Sequence, residues 1–252
     1  MIGASGGALQ LLVKRLETRS VLTDEEVDAL LGLNGQTKQV AAHVDVVGLS
    51  EQVDHSCLVV DGLIGRFGQS RTGARQITCL HLPGDMADLS SVVSPKSGWA
   101  LKSLTSTTLL LIPHADLRRL AAKYSGVAEA FWRDCVADGS IFSEWVVNVG
   151  RRNALSRLAH LFCEIATRCE HAGLGDRRTF PLPITQTGLA DATGMTSVHV
   201  NRVLRELRTR SIVELRGGIV RICDWEQLVS VGDFDAGFLL LDGPSPRITQ
   251  AV

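Results

Sequence analysis

The sequence predicts an α+β fold in three successive parts. Short apolar runs separated by turn residues fill residues 41–112, the signature of a multi-stranded sandwich. The stretch from Gly126 to Arg151 keeps helical spacing without a break. Ile184–Asp224 then reads as two short helices about a glycine, followed by two β-rich runs around Gly217-Gly218. The expected extents are 1–125 for the strand-rich part with two short N-terminal helices, 126–152 for the long helix, 153–232 for the helical pair with its hairpin, and 233–252 for a C-terminal tail.

Residues 8–19 and 24–33 read as the two N-terminal helices. Thr23 with Glu26 three residues later forms a capping-box pattern. Strands follow at His43–Val47, Cys57–Val60, Leu63–Phe67, Arg75–Leu82, Trp99–Leu104 and Thr107–Ile112. Asp61-Gly62, Ser70–Gly73 and Pro83-Gly84-Asp85 supply the turns. Many short strands at near-regular spacing imply a sandwich or jelly roll. In the long helix, Phe131, Cys135, Asp138, Phe142, Trp145 and Val149 are spaced 4, 3, 4, 3, 4, a coiled-coil seam that predicts dimerisation. Asp138 is out of place in such a seam, because a buried unpaired carboxylate is costly. It either pairs across the dimer or marks where the helices part. Arg151–Asn153 is the expected hinge, and Ala154–Cys169 a further amphipathic helix leading through a polar loop at 171–178.

The segment 184–224 carries the most information. Thr185 is placed to cap the first short helix, whose inner face is Leu189, Ala190 and Ala192. Gly194 ends it, since glycine accepts the left-handed conformation of a sharp turn. Thr196 caps the second helix, in which Val200, Val203, Leu204 and Leu207 fall on one face. Ser197, His199, Asn201, Arg202, Arg205 and Arg208 fall on the other. A helix apolar inside and rich in Arg, Asn, Ser and His outside suits the DNA major groove. The runs Ile212–Leu215 and Ile219–Ile222 around Arg216-Gly217-Gly218 form a wing, giving a winged helix-turn-helix.

Thr185–Asp224 resembles the winged helix-turn-helix of the cyclic-AMP receptor protein/fumarate-nitrate reductase regulator (Crp/Fnr) family of bacterial transcription regulators. The resemblance rests on Leu189–Thr196, Val198–Arg202, Leu207, the glycine wing and Asp224-Trp225. It extends more weakly upstream to about residue 40, where the strand and turn order resembles the family's cyclic-nucleotide-binding-like β-roll sensor domain. It implies a homodimer on a palindromic operator in double-stranded DNA, with RNA polymerase as a further partner. Ser197, Val198, His199 and Arg202 are the expected base readers. Thr185, Gln186, Thr196, Arg205, Arg216 and Gly217 are the expected phosphate contacts. Arg202 leads, because bidentate Arg to guanine is the commonest specific contact. Val198 stands where well-known members carry a base-reading Glu, so the half-site is expected to differ from theirs, with a thymine methyl as a partner for the valine.

Two departures bear on the signal. Members that bind cyclic nucleotides use a Gly-Glu-Leu toward the ribose and a downstream Arg-Ser toward the phosphate. Here Gly84–Trp99 offers Asp88-Leu89, no Arg stands anywhere from 76 to 117, and only Lys96 and Lys102 are basic there. Oxygen-sensing members hold an iron–sulfur centre on clustered N-terminal cysteines, whereas residues 1–56 contain none. The six cysteines stand at 57, 79, 135, 163, 169 and 223. The expectation is therefore no cofactor, with neither cyclic nucleotide nor cluster gating the protein and the effector unassigned. A metal- or redox-responsive sensor is the alternative reading.

Composition supports a soluble regulator. The formal net charge is −1, with 45 % hydrophobic and 21 % charged residues, while Thr196–Arg221 holds six arginines against Glu206 and Glu214. No secretory or membrane-spanning pattern is present, so a cytoplasmic location without membrane contact is expected. His43, His55, His81, His114, His160 and His171 are scattered, without metal-ligand spacing. The rival class is a cupin enzyme, which would need a second histidine beside His81-Leu82-Pro83-Gly84-Asp85. No catalytic residues are expected.

Overall fold

The computed structural model describes residues 4–248. Its elements are α1 (Ala4–Glu17), α2 (Asp24–Leu31), β1 (Gln36–Val40), β2 (Asp45–Val47), β3 (His55–Asp61), β4 (Ile64–Gln69), β5 (Arg75–His81), β6 (Ala100–Ser103), β7 (Thr107–Pro113), α3 (His114–Lys123), α4 (Ser125–Arg151), α5 (Ala154–Ala172), β8 (Thr179–Pro181), α6 (Gln186–Thr193), α7 (Ser197–Thr209), β9 (Val213–Arg216), β10 (Ile219–Ile222) and α8 (Trp225–Gly232). They group into two compact units. One comprises residues up to 66, 80–140 and from 239 on; the other comprises 67–79 and 141–238.

The first unit holds most of the β-roll, residues 67–79 of β4 and β5 being grouped with the other. The strand orders are β1-β7-β3 in one sheet and β2-β6-β4-β5 in another. β3 and β7 pair antiparallel from His55↔Pro113 to Asp61↔Thr108, with a register shift near Val59. Alternation along β3 explains why it reads as an unbroken apolar run: successive side chains point to opposite faces, and both are covered. Cys57 and Val59 enter a cluster with Ile64, Ala87, Leu101 and Leu109, while Leu58 enters a second cluster under the helices. Ala8, Leu9, Leu12, Val13 and Leu16 put the apolar stripe of α1 into that second cluster with Met86, Leu110 and Ile112. Leu12 is fully buried, so Leu12→Ala would cost roughly 2–5 kcal/mol. The capping box of α2 forms: Thr23 Oγ1 accepts from Glu26 N at 3.3 Å, and Glu26 Oε2 accepts from Thr23 N at 2.8 Å.

A buried ion-pair network ties α1 to α4 within this unit. Arg15 reaches Asp85 at 2.5 Å and Asp134 at 2.7 Å, and Arg66 reaches Asp138 at 2.6 Å. Asp138 is thus paired inside its own chain. The Arg66 guanidinium lies 4.7 Å from the Trp99 ring and donates to the Ala87 carbonyl at 2.8 Å. Spacing along the sequence gave no sign that Arg66 would reach this segment.

The long helix is present as expected, ending at Arg151, and Asn153 caps α5 by accepting from Ser156 N at 3.0 Å. The turn between the two helices is braced within the second unit. Arg152 pairs with Glu144 at 2.7 Å, and Arg157 Nε donates to the Arg152 carbonyl at 2.9 Å. The buried face of α4 departs from the expected seam. Phe131 and Trp145 are buried in their own chain at 7 % and 4 % exposure, and Cys135 and Val149 are only partly exposed. Trp145 Nε1 donates to the buried carboxylate of Glu164 at 2.7 Å. Of the six expected seam residues only Phe142 is exposed. The exposed register instead contains Trp132, Val136, Gly139, Ser143, Val146 and Gly150, also spaced 4, 3, 4, 3, 4 and shifted by one residue. Among the described residues no helix is long and apolar enough to cross a membrane.

Candidate nucleic-acid interface

The second unit contains the helical pair and the wing. Thr185 Oγ1 accepts from Gly188 N at 3.0 Å and so caps α6. Gly194 closes α6 at φ 63°, the left-handed conformation that L side chains rarely adopt. Thr196 Oγ1 accepts from His199 N at 3.2 Å and opens α7. Val200, Val203 and Leu207 are 0–2 % exposed and seat α7 on the core. The fourth expected core residue of α7, Leu204, is only partly buried.

The wing is β9 paired antiparallel with β10, Arg216 opposite Ile219 and Val213 opposite Ile222. Gly217 and Gly218 both have positive φ, 58° and 76°, as a tight hairpin turn of the primed type requires. A third strand, β8, pairs with the other edge of β10, with Val220 opposite Phe180. The sequence carries little sign of this strand, because its three residues, Thr179–Pro181, show no alternation of their own. Helix α8 was missed too; its start is signalled by Asp224, which accepts from Gln227 N at 2.9 Å.

The outward face of α7 combines polar groups with one apolar residue. Val198 is 80 % exposed in the first turn. Asn201, Arg202, Arg205 and Arg208 are exposed, and Ser197 and His199 half-buried. Arg202 Nη2 donates to His199 Nε2 at 2.8 Å, which requires that nitrogen of His199 to be unprotonated. Asn201 Nδ2 donates to Gln186 Oε1 at 2.8 Å, joining the start of α6 to the middle of α7. Asn201 was noted on this face but not assigned to the bases, and its amide is the type of group that reads adenine. Gln186, Thr185 and Thr196 are exposed, as are Arg216 and Gly217 at the wing tip; Arg216 lies 3.9 Å from Glu214. All ten residues expected to touch DNA therefore lie at the surface of the second unit, fully or partly exposed.

The segment 84–99 of the roll has a different character. Asp88 is 4 % exposed and turned inward, its Oδ1 accepting from Cys57 N at 2.7 Å. Burial raises its carboxyl to about 6. Ser91 bridges Ser56 at 3.1 Å and His114 Nε2 at 2.8 Å. The interior beside it is filled by Cys57, Val59, Ile64, Ala87 and Leu101. None of the six cysteines is in a disulfide, and only Cys223 is exposed. Burial pushes the Cys57 and Cys163 thiols far up and that of Cys135 to about 11, which holds them protonated.

A β-roll followed by a long helix and a winged helix-turn-helix defines a class of DNA-binding transcription regulator, and comparison with known proteins agrees. Residues 156–231 match the Crp-like helix-turn-helix domain family. The chain is 21 % identical over 210 residues to the anaerobic regulatory protein of Haemophilus influenzae, covering 83 % of this chain and 81 % of the relative. It is 28 % identical over 149 residues to the nitrogen fixation regulation protein FixK of Rhizobium meliloti, covering 57 % of this chain and 62 % of the relative. The solved structure of FixK2 from Bradyrhizobium japonicum matches with a TM-score of 0.73 at 23 % identity, covering 81 % of this chain and all of that one, and so shares the fold. Residues 156–231 thus carry a Crp-like helix-turn-helix domain, and the chain resembles regulatory proteins of the Fnr and FixK kinds over much of its length.

Proposed function

We infer that the protein is a homodimer that reads a palindromic DNA site through α7, without gating by a cyclic nucleotide or an iron–sulfur cluster. The observation that carries the reading is the outward face of α7. Ser197, Val198, His199 and Arg202 sit on a capped helix whose opposite face is locked into the core. Thr185, Gln186, Thr196, Arg205, Arg216 and Gly217 surround that face with phosphate-binding groups. The apolar Val198 favours a thymine methyl, and Arg202 a guanine. The exposed face of α4 supports self-association, because Trp132, Val136, Val146 and Val147 are 45–63 % exposed on one long helix. RNA polymerase is the further partner that this class of regulator implies.

The filled roll interior and the inward Asp88 argue against a cyclic nucleotide, and the absence of cysteine before position 57 argues against a cluster of the N-terminal type. A redox-responsive reading rests on Cys223 alone, the one exposed thiol, and an affinity for DNA that changes with oxidant in wild type but not in Cys223→Ser would establish it. The main reading is tested with Arg202→Ala in a binding series over all single-base variants of a selected operator. The expected result is a loss of about 1–3 kcal/mol on the preferred site and a flattened preference at one base pair. Equal weakening on every sequence would reduce Arg202 to a phosphate contact.

A further inference from the structure

The C-terminal tail folds back onto the first unit and builds one wall of a pocket beside the exposed face of α4. Leu239 is fully buried, and Arg19 Nη2 donates to its carbonyl at 2.8 Å. Ser245 N donates to the Arg19 carbonyl at 3.2 Å, and Ser20 and Ser245 form a parallel bridge. Arg133 on α4 donates to the carbonyls of Ser245 at 3.0 Å and Pro246 at 2.6 Å. Arg247 pairs with Glu26, and Ile248 N donates to Glu129 Oε2 at 3.0 Å. The tail is thus pinned at five residues between Leu239 and Ile248. It encloses with α4 a pocket of about 230 Å³ lined by Arg19, Arg133, Val136, Leu240, Asp242 and Gly243.

We propose that this pocket is the socket for the indole of Trp132 from a second copy of the chain. The proposal rests on the homodimer reading above and adds the tail to its interface. Trp132 is 63 % exposed and stands one helical turn from Val136, which lines the pocket. In a two-fold interface the same patch meets itself, so when the axis passes between Trp132 and the pocket each indole enters the other copy's socket and the contact forms twice. The chemistry is complementary. Val136 and Leu240 offer apolar contact, and the guanidinium groups of Arg19 and Arg133 suit a ring face. The carboxylate of Asp242 can accept the indole N–H. A buried aromatic anchor in a preformed pocket is the usual core of a tight interface. Gly139 and Ser143, next on the exposed register, let two helices approach closely there.

The test is a double-mutant cycle on the full chain with Trp132→Ala and Leu240→Ala, both at exposed positions, read as dimer dissociation constants by analytical ultracentrifugation. The expected result is that Trp132→Ala weakens the dimer at least about tenfold, that Leu240→Ala weakens it less, and that the double variant is no weaker than Trp132→Ala. Tryptophan fluorescence gives a second readout: dimerisation should protect one indole from iodide in wild type and not in Trp132→Ala. A dimer in which the two effects multiply, or in which Trp132→Ala changes nothing, overturns the socket and leaves the dimer standing. A wild-type chain that stays monomeric at all concentrations overturns the dimer reading itself.

Discussion

Helices α4 and α7 are both amphipathic, but they expose opposite kinds of surface. α7 buries aliphatic side chains and turns out amides, hydroxyls and guanidinium groups, with Val198 as its one large exposed apolar residue. α4 buries Phe131, Trp145 and the polar Glu129, Asp134 and Asn148, and exposes five large hydrophobics. A polar face with arginines fits a charged, hydrated ligand such as DNA, whereas an apolar face fits another protein surface. On the proposed reading the two faces divide the labour, with α7 supplying the choice of sequence and α4 the association that doubles it.

The sharpest way to break this contrast is to remove the indole that α4 buries in its own chain. Trp145→Ala should destabilise the second unit by roughly 3–5 kcal/mol in urea titrations, since it opens a cavity and leaves the Glu164 carboxylate without its indole donor. A variant of unchanged stability that dissociates into monomers would return Trp145 to the dimer seam.

Asp88 tests whether the inward-turned segment of the roll is a closed structural site. Burial holds its folded pKa at about 6, above the roughly 3.9 of an unfolded Asp. The folded state therefore binds the proton more tightly, so stability is unaffected below about pH 4 and declines as the pH rises toward about 6. Asp88→Asn, which keeps an acceptor for Cys57 N, should remove that decline. At neutral pH it should stabilise the first unit by an amount on the order of 2–3 kcal/mol. A wild-type decline that persists unchanged in Asp88→Asn would assign the titration elsewhere.

Smaller effects sharpen the division between the helices. Val146→Asp should weaken the dimer by about 2 kcal/mol or more while changing the urea midpoint of the isolated chain little, because Val146 is 53 % exposed. Arg216→Ala should reduce the slope of log affinity against log salt by about one and leave sequence preference intact. An unchanged slope would place the wing tip off the DNA.

The same pair of helices shows what was legible in the sequence. α7 is bounded by Thr196 and by the Gly194 turn, so its register was pinned at one end and its outward residues followed. α4 runs for 27 residues and carries apolar side chains on both faces. Spacing alone allows two seams one residue apart, and the choice depends on partners distant in sequence: Glu164 for Trp145, and Arg66 for Asp138. The strands of the roll were readable from turn residues to within two or three positions. β1 was not, because four of its five residues are exposed and polar, and it exists by pairing with β7. α3 was missed as well, since it begins directly after Pro113 with no side-chain cap. The tail gave no signal at all, because its anchoring is mostly through backbone carbonyls.

The central claim, that two copies of α7 read a two-fold site, is tested most directly by selecting duplexes from a random DNA pool with the purified full-length chain. The account predicts enrichment of a palindrome whose half-sites are centred about 10 base pairs apart, with strong preference at a guanine and at a thymine in each half. Enrichment of an asymmetric single half-site, or of no sequence over random DNA, would contradict it.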